Sequence, residues 1–366
     1  MKKMLIVFGD AKVGGIQKAL ISFLKEVGKK EDVTLMLFYK GGKLLQEIPS
    51  NIRVMEIDSD FRYMGMSQSD CKTIKDKLKR GIYAFICKVA GKKAVIQLIS
   101  RTATGISTEE YDEVISYNHV VYMHSLYGGV PQYVLGLKNA KKKTCFIHCD
   151  YLHSGTRNDY SEYIYKQFDE IICVSESTKR LFLDAIPEME GKVKAQYNPI
   201  DEDEIKNKSR IEPYVYDPLY INCITVARLG KEKGITRVIH ALKNLNEKSI
   251  RYYIVGEGKE RKFIEGMINE YGLSENVTLL GEQENPYRYM KNADFMIVPS
   301  YQEAAPVVFQ EAIVLGLPIL ATRTSSADEM ISSENGLVID NDDAEIEAVL
   351  KKIINNPGLI IKRKMA

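Results

Sequence analysis

This sequence has no tryptophan, few cysteines, no excess of charge of either sign and no apolar run long enough to span a membrane. The last absence excludes a transmembrane helix, which needs about 20 consecutive apolar residues. The six cysteines, at 71, 87, 145, 149, 173 and 223, are scattered, and two lie in the apolar runs 171–174 and 221–224. Such cysteines are expected to be buried, reduced thiols of a cytosolic protein, not a disulfide scaffold. With 51 basic and 49 acidic side chains the chain carries only +2, so no global field points to nucleic acid. The first apolar run stops after Phe8 at Gly9-Asp10, too short for a signal peptide. The lack of tryptophan excludes nothing.

What is present fits a soluble globular protein: 366 residues, 45% apolar and 27% charged, a length for about two domains. Met4 to Phe8 reads as a buried strand, followed by the glycine loop GDAKVGG and a helical pattern from Ile16 to Val27. Strand, glycine loop and helix open a nucleotide-binding-like α/β unit, although Gly14-Gly15 is looser than G-x-G-x-x-G. Gly15 either admits a ligand or simply permits a tight turn. Further short strands are expected at 33–39, 52–57, 111–116, 145–148, 171–174 and 193–196. Around 200–217 the composition changes to charged residues with Pro213 and Pro218, which reads as a linker. Strands alternating with helices then restart at Ile221. The expectation is two α/β domains with parallel sheets facing a cleft: 1–200, 201–350 and a tail at 351–366.

The first domain carries an unusual segment, about 70–101, rich in Lys and Arg against the acids Asp70 and Asp76, with Leu78, Ile82, Phe85, Ile86 and Val89 interleaved. Basic and apolar residues at helical spacing suit helices lying on an anionic bilayer. They equally suit an insertion that packs its apolar side on the domain and leaves its lysines in water.

The stretch Pro299 to Thr322 carries the chemistry. Glu303 and Glu311 are eight positions apart around Pro306, which suits a helix start, and Gly316 is a natural stop. The N–H groups of Ala304, Ala305, Val307 and Val308 are expected at the positive helix end, a site for a diphosphate. Two carboxylates there repel phosphate and suit hydroxyl donors, on a sugar or a ribose. Arg228 and Lys233 flank a loop at the carboxyl end of a strand, where open α/β sheets bind ligands. Two cations suit the charge that develops on a departing diphosphate. His148 ends a strand of the first domain and can face the same ligand. A metal site built from Cys145, His148, Cys149 and His153 is rejected, because Cys145 and His148 point to opposite faces of a strand. The D-x-D pairs Asp58/Asp60 and Asp201/Asp203 read as turn or capping acids, and Gly256/Gly258 make only a weak dinucleotide signature. Tyr117, His119 and His124 receive no role.

VARLGKEKGI, VGEGKER, Asn285-Pro286-Tyr287 and PSYQEAAPVVFQEA, in this order, resemble family 4 of the retaining glycosyltransferases (glycosyl transferases group 1), of GT-B fold. The resemblance covers about 198–340; in the first domain it rests on Gly14-Gly15, FIHCD with His148, and CVSES. It implies that Glu303 lies near the donor-sugar hydroxyls, that Glu311 holds the ribose, and that Arg228 and Lys233 bind the diphosphate. It also implies that Gly15 approaches the diphosphate and acceptor, that His148 stands near the transferred sugar, and that the loop from Glu282 through Asn285 to Pro286 holds the base. Ala304 departs from the glycine many members have there.

The expected activity is transfer of a hexose from a UDP-sugar, with retained configuration, to a lipid-linked saccharide at the inner face of the cell membrane, in capsule or exopolysaccharide assembly. No metal and no cofactor beyond the donor are expected. The alternatives are a sugar phosphorylase, a nucleotide-sugar epimerase, or a GT-B protein that binds a sugar nucleotide without catalysis.

Overall fold

The computed structural model describes residues 1–102 and 109–361. Contacts divide the chain into two units, Met1–Pro199 and Ile200–Ala366.

The first unit is a seven-stranded parallel sheet in the order β3-β2-β1-β4-β5-β6-β7. Its strands are β1 (Lys3–Asp10), β2 (Asp32–Tyr39), β3 (Arg53–Glu56), β4 (Tyr111–Ser116), β5 (Ala140–Ile147), β6 (Glu170–Cys173) and β7 (Val193–Ala195). β1 lies in the interior of the sheet, between β2 and β4, and reads as a continuous apolar run because both of its faces are covered. Leu5 and Val7 enter one core cluster with Cys145 and Ile147, while Met4, Ile6 and Phe8 enter the opposite one with Phe146. The order reverses between β1 and β4, so the carboxyl ends of those strands form a topological switch point.

β5 begins earlier than its apolar residues suggest. Lys142 sits between Glu113 of β4, at 3.1 Å, and Glu170 of β6, at 2.6 Å. Cross-strand ion pairs thus hold a lysine-rich segment in the sheet where side-chain hydropathy gives no sign of one.

The basic segment forms two helical runs within Ile74–Thr102, joined by a kink at Gly91, whose φ of 78° and ψ of 167° are not helical. Tyr83 and Cys87 before the bend, and Val95 and Ile99 after it, are buried against the first unit.

The second unit is a six-stranded parallel sheet in the order β10-β9-β8-β11-β12-β13. Its strands are β8 (Ile221–Val226), β9 (Ile250–Val255), β10 (Val277–Gly281), β11 (Phe295–Val298), β12 (Ile319–Thr322) and β13 (Gly336–Ile339). Here the switch point lies between β8 and β11.

Two boundary readings are corrected. The stretch read as linker contains a helix, Glu202–Ser209, capped by Asp201, whose side chain accepts from the Glu204 N–H. The reading of Asp201 as a capping acid is borne out at its start, and one apolar residue, Ile205, seats so short a helix in the core. Of the residues set apart as a tail, 351–361 also belong to the second unit, and 362–366 lie outside the described residues. The helix Asp343–Asn355 runs through them, and Ile353 and Ile360 are buried in the same cluster as Val238 and Leu242.

Candidate active site

The chemistry of the second unit gathers where two loops rise from the carboxyl ends of β8 and β11, the neighbouring strands at its switch point. The loop after β8 carries Arg228 and ends in a short turn, Lys231–Lys233. The loop after β11 carries Glu303 and leads into the helix Val307–Val314, with Pro306 at the N-cap rather than at the first helical position. Backbone joins the loops: the Tyr301 N–H donates to the Glu232 carbonyl at 2.9 Å. Gly234 makes the approach possible. Its φ is 62°, and an added Cβ would stand 2.1 Å from the Pro299 carbonyl oxygen.

This closeness brings Lys233 Nζ to 2.6 Å from Glu303 Oε1, with side chains only 23% and 11% exposed. Ser300 Oγ donates to the same oxygen at 2.8 Å. Glu303 is therefore held in one orientation at the helix entrance. Glu311 lies inside the helix and is buried, its Oε1 accepting from the Tyr287 hydroxyl at 2.8 Å. Val307 and Val308 are the first two helical residues, whose N–H groups an α-helix leaves without intrahelical partners.

Arg228 does not join them. Its guanidinium bonds Glu232 Oε1 at 2.6 Å, four residues on, and the side chain is 74% exposed. The expected pair of cations is thus one inward-facing lysine and one arginine held in a surface ion pair. Asn285, in the loop expected to hold a base, is used in part for the fold: its Nδ2 donates to the Lys208 carbonyl at 2.8 Å, while its Oδ1 is buried without a partner among the described residues. Glu282 belongs to the same loop after β10, and β9 and β8 separate that strand from β11.

Sequence reasoning missed Arg237. It is buried on the helix Ile235–Leu245 and donates to the Pro299 carbonyl at 3.0 Å, to Asn341 Oδ1 at 2.6 Å and to Asp343 Oδ1 at 2.5 Å. Its guanidinium lies over the Tyr301 ring, 4.4 Å from the centroid. Asn341 in turn donates to the Tyr301 and Arg323 carbonyls, both at 3.1 Å. One planar cation thereby fixes the loop that carries Glu303. Its only sequence signal was position, four residues past Lys233 on a helix whose other inward residues are apolar.

In the first unit, Gly15 is the first residue of the helix Gly15–Val27, and an added Cβ would meet nothing within 4 Å. The backbone there needs no glycine, and the space above it is open, as it is at Gly81, Gly136, Gly191, Gly266 and Gly272. His148 follows the end of β5 and stacks on Phe146, 5.9 Å between centroids, which puts it on the face opposite Cys145. Burial, helped by His119, pushes its pKa down to about 3. The ring is therefore neutral at ordinary pH and offers a hydrogen bond, not a fixed charge. Its Nε2 has no partner among the described residues.

Asp10, at the end of β1, is a carboxylate the sequence reading passed over. It is buried, and its oxygens accept from the Lys12 N–H at 3.0 Å, Gln17 Nε2 at 3.3 Å and the Tyr127 hydroxyl at 3.3 Å. Those donors tie it to the glycine loop, to the helix Gly15–Val27 and to the segment after β4. Among the described residues no group of three or more His, Cys, Asp or Glu side chains has the arrangement of a metal site.

Residues 218–366 match the family model described as Glycosyl transferases group 1. The lipopolysaccharide glucosyltransferase WaaG of Escherichia coli is 35% identical over 134 residues, 35% of this chain and 35% of that protein. An N-acetylgalactosaminyltransferase of Campylobacter jejuni, whose name specifies a diphospho-undecaprenol-linked saccharide, is 30% identical over 148 residues, 40% of each chain. This chain thus spans well under half the length of these two curated relatives. Among solved structures, Anabaena Alr3699/HepE in complex with UDP-glucose superposes with a TM-score of 0.72 at 18% identity, over 100% of this chain and 93% of that one. At that identity the likeness shows the fold, which is GT-B. The second unit thus carries the match to the group 1 glycosyl transferases, and the whole chain has their GT-B fold.

Proposed function

We propose that this protein is a retaining hexosyltransferase that uses a UDP-sugar as donor and a lipid-linked saccharide as acceptor, in assembly of a cell-surface polysaccharide at the inner face of the membrane. The observation that carries the reading is the Lys233–Glu303 pair set at the entrance of the Val307–Val314 helix. An ammonium has three N–H donors, and Glu303 takes one. The others are available to a diphosphate, as are the first N–H groups of the helix. Both stabilise the negative charge that grows on the leaving diphosphate. Glu303 then accepts hydrogen bonds from hydroxyls of the donor sugar, Glu311 from the ribose, and neutral His148 gives or takes one bond near the transferred sugar. The loop from Glu282 to Pro286 holds the base, and Gly15 leaves room for the diphosphate and the acceptor.

In this reading the bond from the anomeric carbon to the phosphate oxygen breaks, and a bond to the acceptor oxygen forms on the same face. The acceptor proton passes to the departing diphosphate oxygen. The occupied state of Asp10 favours this front-face course over a covalent intermediate on that carboxylate. Charge neutralisation by Lys233, with Arg228 at the rim, makes a metal unnecessary, so turnover is expected to survive a chelator. The names of the relatives support the donor and acceptor: a lipopolysaccharide glucosyltransferase, an enzyme of a diphospho-undecaprenol substrate, and a neighbour solved with UDP-glucose.

The test is a panel of UDP- and GDP-sugars incubated with and without a lipid-linked saccharide, with the product anomer read by NMR. An α-linked product from a UDP-hexose is expected. An inverted product, phosphorolysis, epimerised donor or binding without turnover overturns the reading.

A further inference from the structure

We infer that the outer face of the Ile74–Thr102 helix, up to its bend at Gly91, is a docking surface for an anionic lipid bilayer. This deepens the proposal of a membrane-borne acceptor, but it stands on its own geometry and is tested without any sugar.

Before the bend the helix carries apolar residues on two sides. Tyr83 and Cys87 are buried against the first unit. On the opposite side Ile74, Leu78, Ile82, Phe85 and Val89 are 78%, 64%, 57%, 69% and 68% exposed. At roughly 100° per residue these five fall within an arc of about 80°, a single stripe running along the helix. Scattered exposed apolar residues need no explanation, but a continuous stripe does.

The charges around the stripe identify what covers it. Lys75 borders one side and Lys77 and Lys88 the other, at roughly 60–100° from its centre, and all three are exposed, as are Lys72 and Lys93. Asp76 is the only acid on the helix, and it is engaged on the inner side by Arg62 and Tyr63, both at 2.7 Å. Asp60 and Asp70 are likewise taken up, by Lys79 at 2.6 Å and Lys12 at 2.5 Å. The outer face therefore presents apolar side chains flanked by cations with no exposed acid among them. A helix so arranged lies in the interfacial plane, its stripe among the acyl chains and its lysines reaching out to anionic headgroups. A second copy of the chain fits poorly, because it would bring lysines against lysines.

The bend then joins this surface to the rest of the unit. The Lys92 N–H donates to the Met123 carbonyl, and its buried Nζ to the Tyr127 carbonyl, both at 2.7 Å. Both carbonyls belong to the segment that follows β4, at the carboxyl edge of the sheet where His119 and His148 lie. Docking would hold that edge close to the lipid headgroups.

The experiment is co-sedimentation of the full chain with vesicles of phosphatidylcholine alone or with about one third phosphatidylglycerol. Two variants are compared with it: Leu78→Ser/Phe85→Ser, and Lys75→Gln/Lys77→Gln/Lys88→Gln. The wild type is expected to pellet with the anionic vesicles, weakly with neutral ones, and less at high salt. Each variant is expected to lose at least tenfold in vesicle partitioning, with its unfolding midpoint unchanged because every altered side chain is exposed. Failure of the wild type to pellet, or variants that pellet like it, overturns the docking face. So does a wild-type dimer that the serine variant dissociates without any vesicle binding, which would assign the stripe to a second copy. UDP binding, measured separately on the same samples, reports on the proposed activity and is independent of either outcome.

Discussion

Lys233 Nζ stands 2.6 Å from Glu303 Oε1, although 70 residues separate them. Neither residue is on a regular strand or long helix. They meet because β8 and β11 are neighbours at the point where strand order reverses, and because Gly234 lets the two loops touch through their backbones. The pair is thus a product of sheet topology.

Lys233→Ala leaves the Glu303 carboxylate, largely shielded, with Ser300 as its remaining donor. Stability is expected to fall by about 1–3 kcal/mol, the cost of a polar group that loses its partner. Adding Glu303→Gln should recover part of that loss, since the two residues are coupled. Transfer should fall by about 100-fold or more in either single variant. Urea unfolding of the four proteins in the cycle, with turnover of a UDP-hexose, checks both. Strict additivity in stability would show that the two side chains do not interact in solution.

Gly15→Ala separates a folding role from a ligand role. Open space surrounds the position, and alanine is favoured over glycine within helices by about 1 kcal/mol. The melting temperature should hold or rise, while transfer falls because the new methyl occupies space a substrate needs. Unchanged turnover in a protein of unchanged or higher stability would remove Gly15 from the site.

Arg237→Lys keeps the charge and loses the planar fork that spans Pro299, Asn341 and Asp343. Arg237 touches Glu303 only through the loop, so it acts as a positioning residue. The expected result is a fall of about tenfold or more in kcat with UDP affinity retained, because the hydroxyl-accepting carboxylate is misplaced while the helix entrance is not. Isothermal titration with UDP beside steady-state kinetics distinguishes this from a merely structural defect, in which binding and turnover would fall together.

Burial first, and Lys92 second, hold His119 neutral down to about pH 4, well below the ordinary value of 6.5. Its folded pKa is lower than its unfolded one, so the unfolded chain binds the extra proton between those values. Its stabilising contribution is present above pH 6.5 and is lost as the pH falls towards 4. His148 acts in the same direction, down to about 3. His119→Gln should flatten the acid limb of the stability profile by no more than about 3 kcal/mol. Denaturant melts at pH 7, 6, 5 and 4 measure it; an identical slope in wild type and variant would show that His119 already titrates near its ordinary value in the folded protein.

Much of the architecture was legible in the chain itself. Apolar runs bounded by glycine and charged loops mark β1, β2, β4 and most of the second sheet, because a parallel strand buried on both faces leaves little choice of side chain. Glu303, Pro306, Glu311 and Gly316 mark one loop and one helix through local backbone chemistry alone. The start of β5 was hidden, since Lys142 is held there by carboxylates on two other strands. The start of the helix Glu202–Ser209 was legible in its capping acid Asp201, but the burial of Ile205 and the core role of Ile353 and Ile360 were hidden, because they depend on partners distant in sequence.

The sequence by itself determined most of the strands, the glycine loops and the identity of the charged groups, because hydropathy period and backbone propensity act over a few residues. Only the tertiary structure decided which charges meet. It turned Lys233 inward to Glu303 and Arg228 outward to Glu232, recruited Arg237 beneath the loop, and divided the apolar residues of the Ile74–Thr102 helix between core and surface. Those outcomes follow from strand order and close approach between distant segments, and no short-range pattern along the chain encodes them.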